Sequence, residues 1–182
     1  MSLVGFTSTG SKRPTVMFGP GITGLPERMH RSAGCTVHAA DGRSYLDFIM
    51  ALGSVALGYG HPDVNQAVIE AVQRGTIGPL SPDDEPALAA ELGAVMPWLE
   101  RVLFLKTGAE AVAAAVRIAR VATGRDYVVG CGYHGWLDWC SDAAGVPAAT
   151  RDLYATLRFN DPEQACEQIR RTGDRLACVV LE

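Results

Sequence analysis

FLKTGAEAVAAAVRIAR, residues 104–120, sets a small-residue turn between an apolar run and an alanine-rich helix. Thr107-Gly108-Ala109-Glu110 fits the S/T-x-x-E capping box, in which the threonine and glutamate side chains each satisfy a backbone N–H of the first turn. The spacing predicts a helix from about Ala109 to Ala122, ended by Thr123-Gly124. Its alanines let it lie close to a sheet. RVLFL, just before the turn, reads as a buried strand. A strand, a short turn and a helix start in this order are where α/β sheets hold ligands. The free N–H groups and the helix dipole there favour an anion. Gly108 and Ala109 would not obstruct a phosphate, and Thr107 adds a hydroxyl. The stretch is neither G-x-x-x-x-G-K-S/T nor G-x-G-x-x-G. A simple capped helix and a phosphate seat both fit, and the two are compatible.

Beyond this stretch the pattern alternates. DYVVGCG reads as a strand, DPEQACEQIRRTG as a helix with proline at its start and glycine at its end, and LACVVLE as a strand. Such alternation implies an α/β fold with a mostly parallel sheet and flanking helices. Upstream, a helix is expected from near Asp84, with acidic residues in its first turn, to Pro97. Another starts at Pro62, repeats Val64, Ala67, Val68, Ala71 and Val72 at helical spacing, and stops at Gly75. GCTVHAADGRSYLDF places two short runs around Asp41-Gly42, a hairpin signal. Residues 1–33 read as a polar leader and loop, residues 34–60 as a hairpin segment of a small domain, and residues 61–182 as the first part of a large domain. The sequence stops within an apparent central strand, so the chain is expected to be the first part of something longer.

Composition narrows the function. The formal net charge is −4, with both signs scattered, which disfavours nucleic acid as a partner. No run of about 18 apolar residues suggests a membrane span, and a cytoplasmic address is expected. The odd count of five cysteines points to reduced thiols. Cys131, His134 and Cys140 have zinc-like spacing, but a structural zinc site wants a fourth ligand and none is well placed. GCGYHGWLDW, residues 130–139, follows the next strand. It would bring Tyr133, His134 and Trp136 to that strand's carboxyl end. An aromatic face there could stack on a flat ring, while Trp136 and Trp139 read better as core-closing residues.

These residues resemble a known family. DGRSYLDF is similar to D-G-x-x-Y-I-D, LGYGHPDVNQAV to L-G-H-x-H-P-x-V-x-x-A-V, the opening stretch to N-[ST]-G-[TVA]-E-A, and GYHGW to Y-H-G. The ordered series resembles the class III, subgroup II, pyridoxal-phosphate-dependent aminotransferases, in their glutamate-1-semialdehyde aminomutase-like branch, from about Gly34 to Glu182. The resemblance implies a type I aminotransferase-like fold, pyridoxal 5′-phosphate as cofactor and a homodimer. Thr107, Gly108 and Ala109 would hold the phosphate. Tyr133 would stack on the pyridine ring with His134 beside it, and Glu182 would lie near the cofactor. Leu52, Gly53 and Ser54 would line the substrate's way in, and Arg28 falls near a substrate-binding arginine.

Lys106 departs from the family's Asn or Asp. It and Lys12 are the only lysines, and neither suits the Schiff-base role. The resemblance places that lysine, and the aspartate that pairs with the pyridine nitrogen, beyond Glu182, so no catalytic residue is expected within the chain. The implied activity is transfer of an amino group between an amino-acid or amine donor and a carbonyl acceptor, as transaminase or aminomutase. The alternative is a truncated relative that binds a phosphorylated ligand or a partner subunit.

Overall fold

Hairpin chemistry builds the start of the chain. The structure, a computed structural model, describes residues 5–182. Residues 1–4 of the expected leader lie outside the described residues. Two compact units divide between Pro82 and Asp83.

In the first unit a short helix, α1 (Pro14–Met17), precedes three antiparallel strands, β1 (Met29–Ala33), β2 (Thr36–Ala39) and β3 (Ser44–Leu46), in the order β1-β2-β3. The β2–β3 hairpin turns at Asp41-Gly42 as expected, and Asp41 accepts from the Arg43 backbone N–H at 3.0 Å. β1 is a strand in a segment read as loop. MHRSA has little β propensity, and pairing with β2 makes it a strand. The signal was Gly34, whose φ of 56° suits the first position of a two-residue hairpin turn. Helix α2 (Pro62–Arg74) starts at the expected proline and stops at Gly75. Its Val64, Val68, Ile69 and Val72 are exposed.

Between β3 and α2 the chain makes a loop pinned at both ends. Asp47 N–H donates to Cys35 O at 2.8 Å, and Gly34 and Tyr59 exchange two backbone bonds of 2.8 and 2.9 Å. Within the loop Met50, Ala51, Leu52 and Gly53 all have positive φ, from 48° to 84°. Left-handed backbone costs roughly 1–2 kcal/mol for each non-glycine residue. The Asp47 carboxylate accepts from Ile49 N–H at 2.8 Å, Met50 N–H at 3.2 Å and the Tyr59 hydroxyl at 2.6 Å.

The Tyr59 hydroxyl, helped by the two N–H groups, holds the Asp47 carboxyl below its ordinary range. The Asp47 hydrogen bond, then burial, pushes the Tyr59 phenol up. A depressed acid stabilises the fold above its unfolded pKa, about 4 here, and loses that contribution as pH falls through the folded value. A raised phenol contributes below about 10 and loses it as pH climbs through the folded value. The expected result is that the gap in urea midpoint between the wild type and Asp47→Ala, clear at pH 7, narrows below about pH 4.

The second unit contains α3 (Asp84–Val95), α4 (Gly108–Thr123), β4 (Tyr127–Cys131), α5 (Ala148–Arg151), β5 (Tyr154–Thr156), α6 (Pro162–Thr172) and β6 (Leu176–Leu181). Its sheet is parallel, in the order β5-β4-β6, giving the expected α/β class. Val116 of α4, Val128 of β4 and Trp139 form a buried cluster, joined by Tyr154, Cys178 and Val180. Val129, on the other face of β4, is also fully buried.

Two expectations fail here. RVLFL is not a strand: residues 101–105 are irregular, and Leu103 is exposed. An apolar run becomes a strand only where a neighbour takes its N–H and C=O groups, and among the described residues no strand pairs with this one. Trp136 does not close the core; it is 78% exposed, whereas Trp139 is buried. No helix among the described residues is long and apolar enough to cross a membrane.

Candidate functional site

Helix α4 begins with both halves of the capping box in place. Glu110 N–H donates to Thr107 Oγ1 at 3.2 Å, and Thr107 N–H donates to the Glu110 carboxylate at 3.1 Å. The Thr107 hydroxyl also donates to Glu110, at 3.1 Å. The threonine hydroxyl is thus committed to the cap. The N–H groups of Gly108 and Ala109, at the first two helical positions, have no intrahelical acceptor. They are the donors left for an anion. A side chain at Gly108 would meet only open space, so the approach to them is clear. Thr107→Ala is expected to cost about 1 kcal/mol through the cap. Urea denaturation measures it.

The loop after β4 comes to this helix start through a glycine. Gly135 has φ +104°, and a Cβ placed on it would stand 2.5 Å from Ala109 Cβ. Backbone therefore lies directly on the first turn of α4. Tyr133, two residues before Gly135 on the same loop, is 71% exposed. Glu182, following β6, completes the group. Its carboxylate accepts the Tyr133 N–H, and its own N–H donates to Cys131 O at 3.1 Å. A Cβ on Gly132 would collide with the Glu182 side chain, so these two chain segments are also in close contact.

His134 turns the other way. It is buried, and its ring stacks on Trp139 with centroids 6.2 Å apart and planes 23° from parallel. Tyr154 meets Trp139 edge-on at 5.7 Å. Burial pushes the Tyr154 phenol up, which keeps it a neutral hydroxyl. Gly130 makes room for this layer, since a Cβ there would strike Tyr154 and come within 3.0 Å of His134 Nε2. Of the adjacent aromatic pair, Tyr133 offers an open face and His134 anchors the loop. Among the described residues no three His, Cys, Asp or Glu side chains group to hold a metal.

The structure thus ties Glu182 to the Tyr133 backbone and lays the same loop, at Gly135, on Ala109 of the capped helix start, with His134 packed inward on Trp139. Leu52, Gly53, Ser54 and Arg28 belong to the first unit. The first three form the end of the left-handed turn and the residue after it. Arg28 donates to Phe6 O at 3.4 Å and lies over the Phe6 ring at 4.2 Å. Gly135 and Gly132 were not singled out from the sequence. Their signal was the repeated glycine in GCGYHG, which marks close backbone approach.

The fold and this grouping define an α/β protein that gathers polar groups around the ends of parallel strands. The model of the family "Aminotransferase class-III" matches residues 21–173, and the chain belongs to that family. It is 34% identical over 177 residues to a glutamate-1-semialdehyde 2,1-aminomutase of Syntrophus aciditrophicus, a match covering 88% of this chain and 41% of that protein. It is 36% identical over 177 residues to the same-named protein of Thermus thermophilus, covering 88% and 42%. Among solved structures, an omega-transaminase from Sphaerobacter thermophilus is similar at 30% identity and a TM-score of 0.77, over 85% of this chain and 40% of that one. A transaminase with PLP bound is similar at 30% identity and 0.78, with the same coverage. The chain therefore spans about two fifths of the length of these relatives.

Proposed function

We propose that this chain is the N-terminal part of a pyridoxal-phosphate-dependent aminotransferase or aminomutase. The observation that carries the reading is the contact of Gly135 with Ala109. It lays the loop that carries the exposed Tyr133 on a helix start whose first N–H groups have no intrahelical acceptor, and this supports the reading in a family member whose solved relatives include one with PLP bound. A phosphorylated planar cofactor needs these two features. Gly108 and Ala109 N–H groups would hold its phosphate, Tyr133 would cover its ring, and Glu182 would fix the Tyr133 backbone. Bound there, the cofactor supplies the electron sink that lets an amino group leave one carbon for another.

On this reading the donor is an amino acid or amine and the acceptor a carbonyl compound, with Arg28 and Leu52 to Ser54 on the substrate side. On the same reading residues 34–60 belong to a small domain and residues 61–182 open the large one, with residues 61–82 of the first compact unit counted in the large domain. The active form is a cytoplasmic homodimer. The test is to load the full-length protein with pyridoxal phosphate, reduce it with borohydride and weigh it intact. One phosphopyridoxyl adduct per chain, mapped to a lysine outside this sequence, supports the reading. No specific adduct overturns it and favours a non-catalytic binder of phosphorylated ligands or of a partner subunit.

A further inference from the structure

The turn from Met50 to Gly53 is left-handed at three successive non-glycine residues, and among the described residues little packing holds it. Leu52 is 73% exposed and Phe48 91% exposed, while Met50 and Ala51 are only half-buried. Three successive non-glycine residues in this region need something to impose it, because L side chains visit it singly. Persistent strain of this kind occurs where the surroundings over-determine a backbone and where function uses the result.

The restraint visible here is polar. Oδ1 of Asp47 takes the N–H groups of Ile49 and Met50, the two that lead into the turn. Oδ2 takes the hydroxyl of Tyr59, twelve residues on, at 2.6 Å. Both residues are tied by their backbones to Gly34 and Cys35 of the β1–β2 turn. One carboxylate therefore joins the two ends of the loop and starts its unusual turn. Inside, Gly53 N–H donates to Met50 O at 3.0 Å and the Ser54 hydroxyl to Ala51 O at 2.8 Å, so the turn carries Ser54 with it.

We infer that Asp47, braced by Tyr59, is a positioning residue that holds the Leu52-Gly53-Ser54 edge in the shape it presents to substrate. This rests on the proposed function for its substrate side. The clamp itself is a matter of the hydrogen bonds above. Asp47→Ala removes every acceptor of the clamp. Asp47→Asn keeps an oxygen for Ile49 and Met50 and an N–H for Tyr59, so it is the conservative rescue. Tyr59→Phe removes one bond only.

The experiment uses the full-length, pyridoxal-phosphate-loaded protein, with the fastest-reacting of the twenty proteinogenic amino acids as donor. Hydrogen exchange is read on peptides spanning residues 48–56. Asp47→Ala is expected to speed that exchange by about 100-fold. It should raise KM for the donor about tenfold with kcat within about twofold, the pattern of lost binding rather than lost chemistry. Asp47→Asn should recover most of both, and Tyr59→Phe should fall between. Unchanged exchange in Asp47→Ala overturns the clamp. Faster exchange with unchanged KM overturns the link to substrate. If Asp47→Ala does not fold, Tyr59→Phe decides by the same two readouts. A wild type that takes up pyridoxal phosphate and transaminates while the variants match it sinks this inference alone. A wild type that does neither sinks the proposed function with it.

Discussion

Gly135→Ala is expected to cost about 2–6 kcal/mol and to weaken pyridoxal phosphate binding by on the order of 100-fold. Two independent terms act at this position. The first is backbone: φ is +104°, where an L side chain is strained by about 1–3 kcal/mol. The second is steric. The new Cβ would stand 2.5 Å from Ala109 Cβ and 3.1 Å from its Cα, and both belong to a capped helix that cannot easily yield. Overpacking of this kind costs about 1–3 kcal/mol. Relief requires the loop to withdraw, and Tyr133, two residues away, moves with it. A displacement near 1 Å in a positioned group is enough for a loss on the order of 10²-fold in function.

Gly145 supplies the control. Its φ is +97°, but a Cβ there meets nothing within 4 Å. Gly145→Ala should therefore show the backbone term alone and leave cofactor affinity unchanged. Adding Ala109→Gly to Gly135→Ala removes one of the two clashing carbons and should recover part of the affinity, a coupling that a double-mutant cycle measures. Affinity is read by absorbance titration of the full-length protein and stability by urea denaturation. Should Gly135→Ala bind as tightly as Gly145→Ala, the loop and the helix start do not form one site.

What the sequence revealed, and what it hid, divides by the range of the interactions involved. The capping box at Thr107 and Glu110, the proline at the head of α2, the Asp41-Gly42 turn and the ends of α4 and α6 are local. Each needs only a few neighbouring residues to be read, and each appears in the structure. Pairing is not local. MHRSA carries almost no strand signal and becomes β1 because β2 lies beside it, while RVLFL carries a strong signal and stays irregular without a neighbour. The three-residue β5 was likewise invisible, being made by its register with β4. In the candidate site, the residue types were legible but not their directions. Tyr133 and His134 are adjacent, and only the packing of Gly130 and Trp139 decides that the histidine goes inward. Asp47 read as part of a hairpin. Its role at the left-handed turn depends on Tyr59, and no short-range pattern links the two.

The two tryptophans of the same loop should respond to truncation in opposite ways. Trp139→Ala is expected to lose about 3–5 kcal/mol, a large share of the roughly 5–15 kcal/mol that holds a domain folded. The indole lies in the buried cluster with Val116 and Val128, stacks on His134 and receives the edge of Tyr154. Its removal opens a cavity among residues from α4, β4 and β5, which cannot all close on it. Trp136→Ala, at a side chain 78% exposed, should stay within about 0.5 kcal/mol. Trp139→Phe separates apolar volume from polarity. The indole Nε1 has no hydrogen-bond partner among the described residues, so replacing it forfeits contact area and no bond. That variant should lose well under half of what alanine loses. Urea midpoints at constant slope give the comparison, since an altered slope would signal a changed denatured state. Because Trp139 also supports the buried ring of His134, its loss should reach the Tyr133 loop. Trp139→Ala should then bind pyridoxal phosphate more weakly even under conditions where it remains folded, while Trp136→Ala binds normally. Equal midpoints for the two alanine variants would mean that Trp139 is not part of the core.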